Sequence, residues 1–212
     1  MLTFRDILPP AVVIAESIMG DDGRAPGPER GVARPRRPYG SRAAPALADI
    51  ALARLGIASS VVDHGEAGEP IWPEGVVGSV THEDGFHAAA VAPRSRVLAV
   101  GIDVVAHREL PESLRAYIRT TEEAAQIRHL SQVMPETFWD CVLFGAKEAV
   151  YKALFPSTRQ WLEFGDVVIS FSPHRAAFSA RVRGRETGSR WRGRYRVDAG
   201  FVGTSFVCTR VG

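Results

Sequence analysis

Cysteine is scarce in this chain of 212 residues: it has two, Cys141 and Cys208, far apart and without the spacing of metal ligands. That argues against a thiolate metal site and for buried thiols in a reducing compartment. Long apolar runs are missing too. No stretch approaches the roughly 20 apolar residues needed to cross a bilayer. The opening "MLTFRDILPPAVVIAESIMG" is broken by Asp6, Pro9, Pro10 and Glu16, and it lacks the basic start and uninterrupted apolar centre of a secretory leader. The expectation is a cytoplasmic protein with no membrane contact. No internal repeat is visible. Neither a DNA-reading helix nor an aromatic stacking motif is recognisable, so nucleic acid is not an expected partner.

Charge of one sign is also in short supply overall, since the formal net charge is only +2. The arginines nevertheless crowd into "RGVARPRRPYGSR" (30–42) and "RVRGRETGSRWRGRYR" (181–196). Such runs are ordinarily solvated surface; the sharper alternative is binding of phosphate or an acidic protein. With 45% hydrophobic residues, the chain can bury a core as one large domain or two small ones.

Local patterns give a coarse map. Residues 11–19 read as a strand and 19–31 as a Gly/Pro-rich surface connection. Residues 44–55 have helical period and composition, closed by Gly56. "VVGSVTH" and "FHAAAVAP" read as two short strands around a glycine turn, and "VLAVGIDVV" (97–105) as a buried strand. The segment 112–130 turns helical, with Thr120 or Thr121 as cap. A second helix is expected over 135–154, with Pro135 in its first turn and its end before Pro156. The tail reads as four strands: "DVVISFSP", "AAFSARVRG", "RWRGRYRVDAG" and "FVGTSFVCTRV". The sum is an α+β chain in two halves.

Chemistry concentrates in a few places. Asp103 ends an apolar run, where a charged carboxylate needs a partner or a cation. Glu148 is a second carboxylate in the mostly apolar helical stretch "LFGAKEAVYKALFP" (143–156), with Lys147 beside it. Lys152 follows four residues later on the same face, the spacing of an ordinary ion pair. Ser79, Thr81 and His82 sit where a strand meets a turn, and hydroxyls and an imidazole there can converge on an anion. Singly, each residue has a plain structural role available to it. Together, two carboxylates, lysines and a histidine are equipment for a cation and a diphosphate-containing substrate.

Three ordered segments, "GEPIWPEGVVGSVTH" (68–82), "VGIDVVAHRELP" (100–111) and "WDCVLFGAKEAVYKALFPSTRQWLEF" (139–164), resemble the signature segments of the phosphopantetheinyl transferases. The likeness is to the actinobacterial branch related to the enterobactin-type and surfactin-synthetase-activating enzymes, and it extends from about residue 30 to 170. It implies two similar α/β halves in pseudo-twofold arrangement, here 1–100 with nucleotide-binding elements and 101–212 with the metal site and charged helix. The implied reaction moves the phosphopantetheine arm of coenzyme A onto a serine of an acyl or peptidyl carrier protein of fatty-acid, polyketide or nonribosomal peptide synthesis. By position, the resemblance gives Mg²⁺ to Asp103 and Glu148, the serine proton to Glu148, and phosphate contacts to Lys152 and His82. Thr81 and Lys147 would line the same site, and Arg36, Arg37 and Arg42 would meet the 3′-phosphate. A monomer is expected.

Two departures stand out. Relatives usually carry an acidic residue where this chain has Val105, and a basic one where it has Ala67. These motivate two alternatives to an active transferase: a repurposed enzyme on the same scaffold, and a non-catalytic binder of coenzyme A or carrier protein.

Overall fold

The computed structural model describes residues 2–18, 43–58, 62–83, 85–184, 191–198 and 200–209. The connection expected at 19–31 and the three arginines Arg36, Arg37 and Arg42 lie outside these residues. In chain order the elements are β1 (Val13–Ile18), α1 (Ala43–Arg54), β2 (Asp63–His64), β3 (Pro70–Ile71), β4 (Val76–Glu83), β5 (Phe86–Pro93) and β6 (Val97–Ala106). There follow α2 (Glu112–Ile118), α3 (Thr121–Val133), α4 (Trp139–Thr158), β7 (Val167–Ser172), β8 (Ala177–Val182), β9 (Trp191–Asp198) and β10 (Phe201–Thr209). The fold class is α+β.

One antiparallel sheet has the order β1-β5-β4, a second β6-β10-β9-β8-β7, and β2 and β3 form a small ladder of their own. Each main sheet carries one long helix. Helix α1 buries Leu47, Ala48, Ala51 and Leu52 against Ala15, Ala89 and Val91 of the first sheet. Helix α4 buries Trp139, Val142, Leu143, Ala146, Val150 and Leu154 against Phe171, Phe178, Val202 and Phe206 of the second. Each large side chain taken fully out of water there contributes about 1.5–3 kcal/mol.

Strand alternation decides what β6 offers to each side. Val100, Ile102 and Val104 face a core shared with Phe86, Ala88, Ala90 and Val77 of the first sheet. The odd-numbered residues, Gly101, Asp103 and Val105 among them, therefore face α4. The free edge of β6 also lies beside the free edge of β4. Ser79 Oγ accepts from the Ile102 amide at 3.1 Å and Thr81 Oγ1 from the Val104 amide at 3.0 Å, so hydroxyls stand in for a backbone ladder.

The helical stretch expected at 112–130 is two helices. It breaks at Arg119 and Thr120, where Thr120 caps α3 in a capping box with Glu123. The boundaries expected for the last helix also shift. Pro135 lies in the turn before it, and α4 runs through Pro156 to Thr158. A proline in the last turn forfeits one intrahelical bond, and the helix ends two residues later at Thr158; the next residue, Arg159, adopts the left-handed conformation and donates its amide to Phe155. Among the described residues, no helix is long and apolar enough to cross a membrane.

Helix α4 rides directly on the backbone of β6. A Cβ at Gly101 would stand 1.9 Å from the Ala149 carbonyl oxygen and 2.7 Å from the Ala153 amide nitrogen. Gly101→Ala should therefore destabilise the protein by about 1–3 kcal/mol, the usual cost of overpacking, because backbone and not a mobile side chain must move. Urea unfolding of the two proteins tests this; an unchanged midpoint would show that α4 has room to lift.

Candidate active site

The site forms where β6, α4 and the β4 edge meet. Asp103 is buried on the α4-facing side of β6. Its Oδ1 accepts from Lys152 Nζ at 2.5 Å and from Thr81 Oγ1 at 3.2 Å. Its Oδ2 is buried and has no hydrogen-bond partner among the described residues. That oxygen faces Gly145 of α4, where a Cβ would come within 3.6 Å of it. One turn of α4 closer to Lys152 stands Glu148, half-buried. Burial raises its pKa above the ordinary 4.5, the negative charge of Asp103 raises it further, and Lys152 partly offsets both. The cluster thus sets one ammonium against two carboxylates, with a carboxylate oxygen left over.

Two cavities share Glu148 and Tyr151 as a wall. One, of about 120 Å³, is lined by Gly68, Glu69, Ser79 and Lys152 among others; the other, of about 350 Å³, by Tyr117, Trp161, Leu162 and Phe164. A third, of about 470 Å³, shares Glu69, Gly78 and Pro156 with the first and extends past Trp72 to Arg94 and Arg159.

Of the expected site residues, the structure brings Asp103, Glu148, Lys152 and Thr81 together. Lys147 borders the 350 Å³ cavity with Glu148, but its ammonium is engaged elsewhere. Its side chain is buried, and its ammonium donates at 2.7 Å to each of the Ile118 carbonyl, Glu123 Oε2 and the Phe164 carbonyl. All three protons are used, so no donor remains for a phosphate, and the expected contact is corrected on that ground. Burial lowers the Lys147 pKa and Glu123 works against this. Its counter-ion Glu123 was not singled out in the sequence reading. The same carboxylate also accepts from the Thr120 and Ile169 amides at 2.8 Å. The capping-box spacing at Thr120 was the signal that could have found it.

His82 follows Thr81 on β4 and so projects from the opposite face. It is exposed, and its ring lies parallel to that of His87, centroids 6.0 Å apart. Burial lowers the His87 pKa, as does the neighbouring His82. Val105 shares the Asp103 face of β6 and packs on the α4 core. Among the described residues, no group of three or more His, Cys, Asp or Glu side chains converges as a metal cluster would. Asp103 and Glu148 are the carboxylates available to a cation.

Comparison with known sequences decides the family. The profile described as "4'-phosphopantetheinyl transferase superfamily" matches residues 99–209, and that of the "4'-phosphopantetheinyl transferase N-terminal domain" matches 29–92. The chain belongs to the 4'-phosphopantetheinyl transferase superfamily. It is 39% identical over 171 residues to the 4'-phosphopantetheinyl transferase PptT of Mycobacterium tuberculosis, covering 76% of this chain and 74% of that protein. To the 4'-phosphopantetheinyl transferase Svp of Streptomyces mobaraensis it is 36% identical, covering 76% and 68%. To the transferase Npt of Nocardia iowensis it is 42% identical, covering 58% and 54%. The chain is an enzyme of this family, a 4'-phosphopantetheinyl transferase, and Asp103, Lys147, Glu148 and Lys152 all lie in the region matched by the first profile.

Two measurements test the electrostatics. Glu123→Ala strands the Lys147 charge in the core and Lys147→Met strands that of Glu123, so each should cost about 3–5 kcal/mol of stability in urea unfolding and the double variant clearly less than their sum; additive losses would refute the pairing. Glu148→Gln should raise the thermal midpoint near neutral pH in metal-free buffer by about 2–4 °C, as about 1 kcal/mol does in a protein of this size. A carboxyl whose folded-state pKa is raised loses stability as pH rises through that pKa. The two midpoints should therefore converge as pH falls below the ordinary glutamate value and separate above it. A wild-type protein that stays the more stable of the two at neutral pH would contradict this.

Proposed function

We propose that the enzyme takes its phosphopantetheine arm from coenzyme A and, acting as a monomer, places it on a serine hydroxyl of an acyl or peptidyl carrier protein with Mg²⁺ as cofactor. The single observation that carries the cation is the unbalanced pair: a buried Asp103 oxygen with no donor among the described residues, beside a Glu148 carboxylate whose burial raises its pKa. Such a donor set fits a hard divalent cation, which takes oxygen ligands and completes its shell with water and phosphate. Bound there, Mg²⁺ would neutralise charge at the diphosphate. Val105 in place of an acidic residue leaves two carboxylates for this task, and two are enough for an ion that keeps several waters.

The chain's own groups then divide the work. Thr81 and Lys152 fix the orientation of Asp103 through the bonds to its Oδ1. Lys152, part-exposed at the cavity wall, would donate to phosphate oxygens. Glu148, whose burial raises its pKa and makes it a stronger base than an ordinary glutamate, would accept the serine proton directly or through water. The serine oxygen bonds to the phosphorus that carries the pantetheine arm, and the bond to adenosine 3′,5′-bisphosphate breaks. Transfer of this kind depends on alignment and charge neutralisation. In this reading residues 1–100 supply nucleotide-binding elements, with Arg36, Arg37 and Arg42 as contacts for the 3′-phosphate, and residues 101–212 supply the cation site.

The test is incubation with an apo carrier protein, coenzyme A and Mg²⁺, followed by mass spectrometry of the carrier. A mass gain equal to the phosphopantetheine arm is expected, and Glu148→Ala should lower the rate by about 10²–10⁴-fold. An unmodified carrier would overturn the reading, and full activity in Glu148→Ala would overturn the role of that residue.

A further inference from the structure

Glu69 is a buried carboxylate that the reaction does not explain. Its side chain lines both the 120 Å³ cavity, which it shares with Glu148 and Lys152, and the 470 Å³ cavity beyond. It is 8% exposed. A coenzyme carrying three phosphates would meet this charge in the wall of its own site. The charge is held deliberately in place: Oε2 accepts from the Ala67 amide at 3.2 Å, and Oε1 is ion-paired with the Arg159 guanidinium. Gly65 makes room for it, since a Cβ there would stand 2.0 Å from Oε1.

The pair also joins two distant parts of the chain. Glu69 lies between the short strands β2 and β3, at the start of β3, while Arg159 is the residue that follows α4. Arg159 is one of two described non-glycine residues with a left-handed backbone (φ 54°). Glycine is the usual occupant of that position, and an arginine there needs compensation from its surroundings. Its guanidinium lies over Phe155, the central carbon 5.9 Å from the ring centre, and reaches Glu69.

We propose that Arg159 is a positioning residue for coenzyme A, acting through Glu69: it cancels a carboxylate built into the cavity wall and clamps the 65–70 turn to the end of α4, so that the wall presents no net negative charge to the diphosphate. The inference rests on the cleft being a coenzyme A site. Without Arg159, an uncompensated buried carboxylate repels the phosphates; without Glu69 as well, the repulsion is gone.

The experiment is calorimetric titration of coenzyme A into the wild type, Arg159→Ala, Arg159→Ala with Glu69→Gln, and Gly65→Ala, alongside steady-state transfer kinetics. Arg159→Ala should weaken binding about tenfold and raise KM by the same factor, with the loss in KM and not in kcat. Adding Glu69→Gln should recover most of the affinity. Gly65→Ala, which changes no charge but pushes the carboxylate off its partner, should reproduce the loss. It also keeps the test open if Arg159→Ala folds poorly. The proposal is overturned if Arg159→Ala binds coenzyme A as the wild type does, if the double variant stays as weak as the single one, or if Gly65→Ala is without effect. A wild type that binds coenzyme A but modifies no carrier overturns the function above while the titrations still decide this proposal. A wild type that does not bind coenzyme A overturns both.

Discussion

Backbone contact between α4 and β6 is the constraint on which the site depends. Side chains ordinarily hold a helix well clear of a sheet, but at Gly101 the helix carbonyl of Ala149 occupies the space where a Cβ would be. A second close approach occurs at Gly145, which lies over Thr204 and the outer oxygen of Asp103. With both gaps closed, a carboxylate rooted in a strand and one rooted in a helix share a buried space, and each feels the other's charge. Wider separation would let water between them and dissolve their electrostatic coupling.

The same helix uses its two lysines, the only ones in the chain, in opposite ways. Lys147 is fully enclosed, and a charge so placed is tolerable only when every proton finds an acceptor; two carbonyls and Glu123 supply them. This ties α2, the start of α3 and the segment after α4 to one point, which holds α4 down from the side away from Asp103. Lys152 keeps 28% of its side chain exposed. It orients Asp103 yet stays at a cavity wall, where a substrate can share it. The first lysine secures the helix and the second serves the cleft.

Much of this was legible in the letters. The apolar run "VLAVGID" marked Asp103 as a carboxylate in need of a partner or a cation, and helical spacing put Glu148 and Lys152 together. The error over Lys147 was avoidable in part: at about 100° per residue, 147 lies well away from the 148/152 line, and adjacency in sequence is not adjacency on a helix. The same holds for Thr81 and His82, which alternate across a strand. What could not be read was long-range pairing. Glu123 closes the cap at Thr120 and is also the counter-ion of Lys147, and nothing in "GEAGEP" indicates that Glu69 meets Arg159, since a partner 90 residues away is fixed only by the tertiary fold. Helix ends were missed because tertiary packing carried α4 through Pro156, against the local preference of proline.

The two halves of the molecule are coupled mainly through side chains at this seam. The edges of β4 and β6 lie side by side, yet Ser79 and Thr81 hydroxyls make the bonds that a continuous sheet would make with backbone. Thr81 does double duty, because the hydroxyl that accepts from Val104 also donates to Asp103. A backbone ladder would fix the strand spacing rigidly and leave the carboxylate unconnected to it. A hydroxyl bridge instead makes the position of Asp103 answer to the position of β4, so the seam between the halves and the geometry of the carboxylate pair are set by one and the same group.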